Sequence, residues 1–241
     1  VTAGPGVPVW TYRDYWGTLV SVFDLPEAHD ELVIRAAATV ETGPFRGIPV
    51  GRERPSWRQI RERSANGRLV EFLLPTPLTT VAGEVSAAAS AAISGLSPDA
   101  AAEAISGRVR EHVSYLPGAT GVGTNAQQAW DQGQGVCQDM AQLTVAQLRS
   151  VGLPARYVSG YLHPQPRAEP GSTAVGQSHA WVEYWAGDWT PLDPTSGAPV
   201  GERHVVVARG RDYADVPPLK GIYHGPPWGD MQVTVEVTRL A

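Results

Sequence analysis

A chain of 241 residues, 42% of them hydrophobic, with a formal net charge of -5, is long enough to bury the core of one large domain plus a smaller appendage. The acidic balance gives no general attraction to nucleic acid or to anionic membranes, and no apolar run reaches the roughly 18 residues of a membrane span. A single cysteine excludes an internal disulfide, which fits a reducing compartment or a large secreted protein without disulfides; with no signal peptide in view, a cytoplasmic protein is expected.

Residues 1–45 read as β structure. Trp10 to Tyr12, Gly17 to Phe23, Glu31 to Ala36 and Thr39 to Thr42 are strand-favouring runs separated by Pro and Asp/His turns. So few strands cannot close a sandwich, and the chain starts at Val1 rather than Met. The segment is therefore expected to be the C-terminal part of an N-terminal β domain whose first strands precede Val1. Residues 46–64, rich in Pro, Gly and Arg, read as a linker running into a short helix. Arg52, Arg54, Arg58, Arg61 and Arg63 could form an anion-binding stripe, but the acidic whole favours a solvated face. Glu71 to Pro77 is an apolar patch ended by prolines, expected to dock the linker on the domain of residues 65–241.

Residues 82–115 are Ala-rich and helix-favouring, with Ser97 as cap and Pro98 at the first helical position; Val109, Val113 and Leu116 continue an apolar face. Gly118 to Gly123 lacks the Lys-Ser/Thr of a phosphate loop and reads as a plain loop. Thr124 can cap a short helix through Trp130. The stretch Gly133 to Met140 then holds the cysteine, and Met140, Leu143, Val145, Leu148 and Val151 repeat at roughly helical spacing. Cys137 is thus expected in the first turn of a helix, where free N–H groups and the positive end of the dipole favour a thiolate. Asp139 is expected on that helix's exposed face in a structural role.

After Gly152-Leu-Pro, residues 155–162 read as a strand and His163 to Gly176 as a surface loop. Ser178 to Trp185 and Trp189 to Asp193, joined at Gly187-Asp188, form a hairpin; Val205 to Ala208 and Met231 to Val237 supply further strands. A thiol nucleophile needs a base, and the base a group that holds its tautomer. The hairpin offers His179 and Asp193. With a two-residue turn, position 182 would face 193, so the two side chains need a small register shift to meet. Taken singly, Cys137 reads as a buried small hydrophobe, His179 as hydrogen-bonded structure and Asp193 as a turn former. In this order, with one hairpin between them, they read as a nucleophile, a base and its orienting residue. The six histidines (29, 112, 163, 179, 204, 224) lack His-Glu-x-x-His spacing, so neither a metal nor another cofactor is expected, and His204 and His224 read as surface or tail-packing residues.

The segments Gly135 to Ala141, Gly152 to Tyr161, His179 to Glu183 and Trp189 to Thr195 resemble, in order, the core motifs of the transglutaminase-like superfamily, and Gly210 to Gly221 resembles the tail of its bacterial subgroup. The resemblance covers about residues 65–240. It implies an α+β, papain-like core, with helices packed on an antiparallel β-sheet, and cysteine-dependent acyl transfer on an amide or ester through a thioester. Cys137 would be the nucleophile, His179 the base then acid, and Asp193 the orienting residue. The Cys137 N–H is the first oxyanion donor considered, with the Gln132 or Gln134 amide second; Tyr161 and Trp181 would shape the acyl cleft or pack the core. Peptide or amide hydrolysis, as in a cysteine protease, is expected, with a peptide or amide acyl donor. Transamidation or amide condensation with an amine acceptor, and a non-catalytic binding module, stay open beside it.

Overall fold

The computed structural model describes residues 1–4, 6–43, 53–165, 168–225 and 231–240, so Arg52 and the linker segment 44–52 lie outside the description. Val1–Glu41 forms one compact unit and Thr42–Ala241 another. In the first, β1 (Thr2–Gly4) pairs antiparallel with β4 (Val33–Arg35), and β2 (Trp10–Arg13) with β3 (Leu19–Val22). The β2–β3 turn is closed by Asp14, whose Oδ1 accepts the Thr18 N–H at 2.8 Å while Gly17 takes φ 87°. The run Thr39 to Thr42, expected as a strand, is not one: strand propensity without a partner ladder leaves the backbone unpaired.

The second unit starts with α1 (Trp57–Ser64), held by a capping box between Ser56 and Gln59, and a 3-10 turn (Gly67–Phe72). Then follow α2 (Gly83–Ala92) and α3 (Pro98–His112); Ser97 accepts from the Ala100 N–H and Pro98 opens α3, as the sequence predicts. Next come β5 (Ser114–Tyr115), α4 (Ala126–Gln132), β6 (Gln134–Gly135) and α5 (Cys137–Ser150). Asn125, rather than Thr124, caps α4 through a capping box with Gln128, and Gly133 ends it with φ 60°.

The strands β7 (Ala155–Leu162), β9 (Gln177–Trp185), β10 (Trp189–Leu192) and β11 (His204–Gly210) make an antiparallel sheet in the order β10-β9-β7-β11. The remaining strands, β8 (Thr173–Val175) and β12 (Glu236–Thr238), pair with each other, so the segment read as a surface loop is partly stapled by the tail. Helix α5 is covered on most sides. Ala141, Val145 and Leu148 join Tyr157, Val182 and Tyr184 of the sheet in one core, while Met140, Leu143 and Ala146 join Val109, Val113 and Ala126 of the helices in another. This is an α+β papain-like core, with helices on one antiparallel sheet. Among the described residues, no helix is long and apolar enough to cross a membrane.

Arg149, in the last turn of α5, ties the segment after the 3-10 turn to the end of the sheet. It donates to the Leu74 carbonyl at 3.0 Å, Thr79 Oγ1 at 3.0 Å, the Ala155 carbonyl at 2.9 Å and the Arg211 carbonyl at 2.6 Å. Burial pushes its guanidinium down to about 10. The tail motif has a structural explanation at the same place. Asp212 caps a 3-10 turn through the Ala214 N–H, and Asp215 accepts from the Arg211 side chain at 2.9 Å.

Candidate active site

The thiol is placed by what precedes it. β5 and β6 pair in parallel, Tyr115 opposite Gly135, which fixes the backbone entering α5. A Cβ on Gly135 would lie 2.8 Å from the Cβ of Asp139, so only glycine admits this approach. Asp139 is buried, contrary to the expectation of an exposed helix face. Its Oδ2 accepts the Val136 N–H at 2.8 Å and the Thr120 hydroxyl at 2.5 Å, because the Gly118–Gly123 loop and the β6 turn fold over that face. Asp139 thus does for Val136 what a capping side chain would, and Cys137 becomes the first residue of α5, half-buried and free. Its own N–H has no intrahelical acceptor, so it stays available to an oxyanion beside the thiol.

His179 comes from β9, Asp193 from just beyond β10. The hairpin loop is three residues, Ala186 to Asp188, with Leu192 opposite Val182. Extending that ladder by one residue sets Asp193 across from Trp181, on the face that also carries His179. The register shift required by the two-residue turn is supplied by the longer loop. His179 Nε2 and Asp193 Oδ2 are 3.0 Å apart, which leaves Nδ1 for the thiol. Burial acts to lower the His179 pKa, but hydrogen bonds and charge from Asp193 and from Cys137 outweigh it and lift it from 6.5 to about 9.

Asp193 is 1% exposed and fully engaged. The N–H groups of Thr195 and Ser196 donate to Oδ1 at 2.9 and 3.3 Å, and the Ser196 hydroxyl donates to Oδ2 at 2.6 Å. Burial acts to raise its pKa; the neighbouring His179, His204 and Ser196 side chains hold it far below the usual carboxylate range. Oδ1 of Asp193 closes the turn, as a turn former does, while Oδ2 faces the imidazole.

Trp181 is fully buried, its ring stacked with that of His179 at 6.0 Å between centroids, so it backs the imidazole from beneath instead of lining an open cleft. Gln132 ends α4 and Gln134 sits on β6, both exposed; Tyr161, half-buried on β7, faces Ser178 and Val205 in the sheet. Two residues gain a place that the sequence did not reveal. Tyr115, still exposed, has its pKa raised by burial and by the charge of Cys137; its pairing with Gly135, two residues before the cysteine, brings it to this end of α5. His204, read from the sequence as a surface or tail-packing residue, is buried with Nε2 3.6 Å from Asp193 Oδ2, because β11 pairs with β7 and brings its first residue to the site. No local signal in the sequence marks either. Chemically, the arrangement offers a half-accessible sulfur at a helix start, an imidazole able to exchange a proton with it, and a fixed carboxylate behind.

The family model of the transglutaminase-like superfamily matches residues 85–194, from α2 to just beyond Asp193. The chain is 42% identical over 237 residues to an uncharacterised protein of Mycobacterium leprae, spanning 98% of this chain and 84% of that one. It is also 34% identical over 129 residues to a protein-glutamine gamma-glutamyltransferase of Pseudomonas aeruginosa, spanning 48% of this chain and 19% of the relative. Among solved structures it is similar in fold to a candidate cysteine protease from Cytophaga hutchinsonii, with TM-score 0.62 and 21% identity, covering 89% of this chain and 70% of that one. With its fold, its motifs and these relatives in agreement, the chain belongs to the transglutaminase-like superfamily.

Proposed function

We propose that the protein is a cysteine-dependent acyl-transfer enzyme that opens an amide or ester through a thioester on Cys137 and passes the acyl group to water. The observation that carries this reading is the position of His179, hydrogen-bonded through Nε2 to Asp193 with its other nitrogen toward the sulfur. In the first half-reaction the Cys137 sulfur, its proton held by His179, attacks the carbonyl carbon; the oxyanion gathers on the Cys137 N–H at the start of α5. The C–N or C–O bond breaks as His179 returns the proton to the leaving amine or alcohol. In the second, His179 takes a proton from water, whose oxygen displaces the sulfur and releases a carboxylic acid. Asp193 keeps the imidazole in one tautomer and balances its charge throughout.

Transamidation, in which an amine takes the place of water, uses the same residues. The similarity to a protein-glutamine gamma-glutamyltransferase supports it as the second reading. Intact-mass spectrometry decides between them. Wild type and His179→Ala are incubated with activated peptide esters and amides, with and without an added amine. The proposal expects a Cys137 adduct that depends on His179 and is released as acid; release as amide when amine is present assigns a transferase, and no adduct from any donor removes the enzyme reading.

A further inference from the structure

The mechanism above assigns no role to His204, yet the structure spends several contacts on holding it. Its Nδ1 accepts the Gly201 N–H at 3.2 Å, and its own backbone N–H donates to the Gly201 carbonyl at 2.9 Å. The ring packs edge-on against Trp181 at 5.2 Å between centroids, so the indole that backs His179 also fixes His204. With Nδ1 occupied as an acceptor, the ring proton of the neutral form sits on Nε2. That nitrogen is buried without a hydrogen-bond partner, and the group it faces is Asp193 Oδ2 at 3.6 Å.

We infer that His204 is a positioning residue of the active site, a second imidazole locked as its Nε2–H tautomer that steadies the Asp193 carboxylate from beside His179. A carboxylate approached by two imidazoles could share its proton chemistry between them. Here the Gly201 N–H blocks the nitrogen that His204 would need in order to become charged, so the exchangeable proton stays on His179. The added donor spreads the charge on Oδ2, which lets His179 release its proton to a leaving group more readily than a bare carboxylate would. The ionisable groups around it are Asp193, His179 and, beyond His179, Cys137. His179, Asp193 and His204 also bring three ligand atoms within 4.8 Å of one another, a composition that could suit a metal ion. The tautomer argues against that use, since a metal would need the Nε2 lone pair that the Gly201 contact assigns to a proton.

The inference rests on the acyl-transfer reading for its catalytic meaning, but its test does not depend on activity. In nitrogen-15 histidine-labelled protein, two-bond proton–nitrogen correlation reads the tautomer of each ring as pH is raised past the point where His179 titrates. His204 is expected to carry its ring proton on Nε2. His204→Phe, which keeps the ring, is expected to move the His179 titration upward by about half a pH unit, and His204→Gln, whose amide can donate, to return it. Where wild type acylates, His204→Phe lowers kcat on the order of tenfold with KM unchanged, and His204→Gln recovers most of the loss. A His204 proton on Nδ1, a His204 ring that titrates with His179, or a folded His204→Phe protein in which His179 titrates as in wild type overturns the inference. Failure of wild type to acylate any donor removes the enzyme reading and leaves the titration result to decide this one.

Discussion

His179 and Asp193 meet across one hairpin, Nε2 to Oδ2 at 3.0 Å, and the contact favours the charged form of both partners. The folded pKa of His179, about 9, lies above its ordinary 6.5, so this pair contributes stability that is complete below 6.5 and is lost as pH rises through about 9. Asp193 is shifted downward, so its contribution is present above the ordinary carboxylate value and is lost on acidification below it. Asp193→Asn is expected to bring the alkaline limb of Cys137 acylation down from about 9 toward 6.5 and to slow the reaction about a thousandfold, since the amide also favours the wrong tautomer. A pH–rate profile for both proteins checks this. An alkaline limb that stays in place in the variant would assign that limb to another group.

Removing the sulfur separates chemistry from folding. Cys137 is half-buried and packs against the main core by its edge, so Cys137→Ala deletes one atom at the rim of a cluster made by larger residues. The expected change in unfolding free energy is within about 1 kcal/mol. Acyl-adduct formation should vanish. Thermal melts and intact mass on the same preparation test both parts; loss of the folding transition would show that the thiol is structural.

The start of α5 could be read from the chain because its determinants are local: two glycines, a cysteine, then apolar residues at helical spacing. The hairpin was equally legible as an element. Its register was not, because a three-residue loop with Ala186 and Asp188 closing it cannot be told from a two-residue turn by composition. His204 was misplaced for a different reason. Its burial depends on β11 pairing with β7, some 40 residues earlier in sequence, and on the turn at Gly201. Asp139 was misplaced because a helical wheel shows which face a residue occupies and not which distant loop covers it. Thr120 belongs to a loop that looked featureless.

Gly160 and Trp181 lie close together in the sheet, and the missing side chain of one makes room for the other. A Cβ at Gly160 would sit 2.6 Å from the Trp181 ring and closer still to the Val205 carbonyl, a backbone atom that cannot swing away. Gly160→Ala is therefore expected to part β7 from β11 and to tilt the indole that backs His179. The cost should be about 3 kcal/mol, well above that of an ordinary glycine-to-alanine change in a strand. Urea unfolding at fixed pH gives the number, and a loss below about 1 kcal/mol would mean that this part of the sheet is softer than its contacts imply.

Asp139 holds two things at once, the Val136 N–H at the start of α5 and the Thr120 hydroxyl of the neighbouring loop. Cutting them separately distinguishes the roles. Asp139→Ala leaves a half-buried N–H without its acceptor at the turn that sets the sulfur, and is expected to cost about 1–2 kcal/mol and to slow acylation. Asp139→Asn keeps a carbonyl oxygen for Val136 and should restore most of the stability. Thr120→Val removes the tether to the Gly118–Gly123 loop alone. Gln138 still reaches the Val122 carbonyl at 3.4 Å, so the helix start should persist, with a stability loss under about 1 kcal/mol. If the loop borders the bound acyl donor, Thr120→Val raises KM while the acylation rate at saturation is kept. Equal losses of rate in Asp139→Ala and Thr120→Val, at equal stability, would mean that the loop and not the cap positions the thiol.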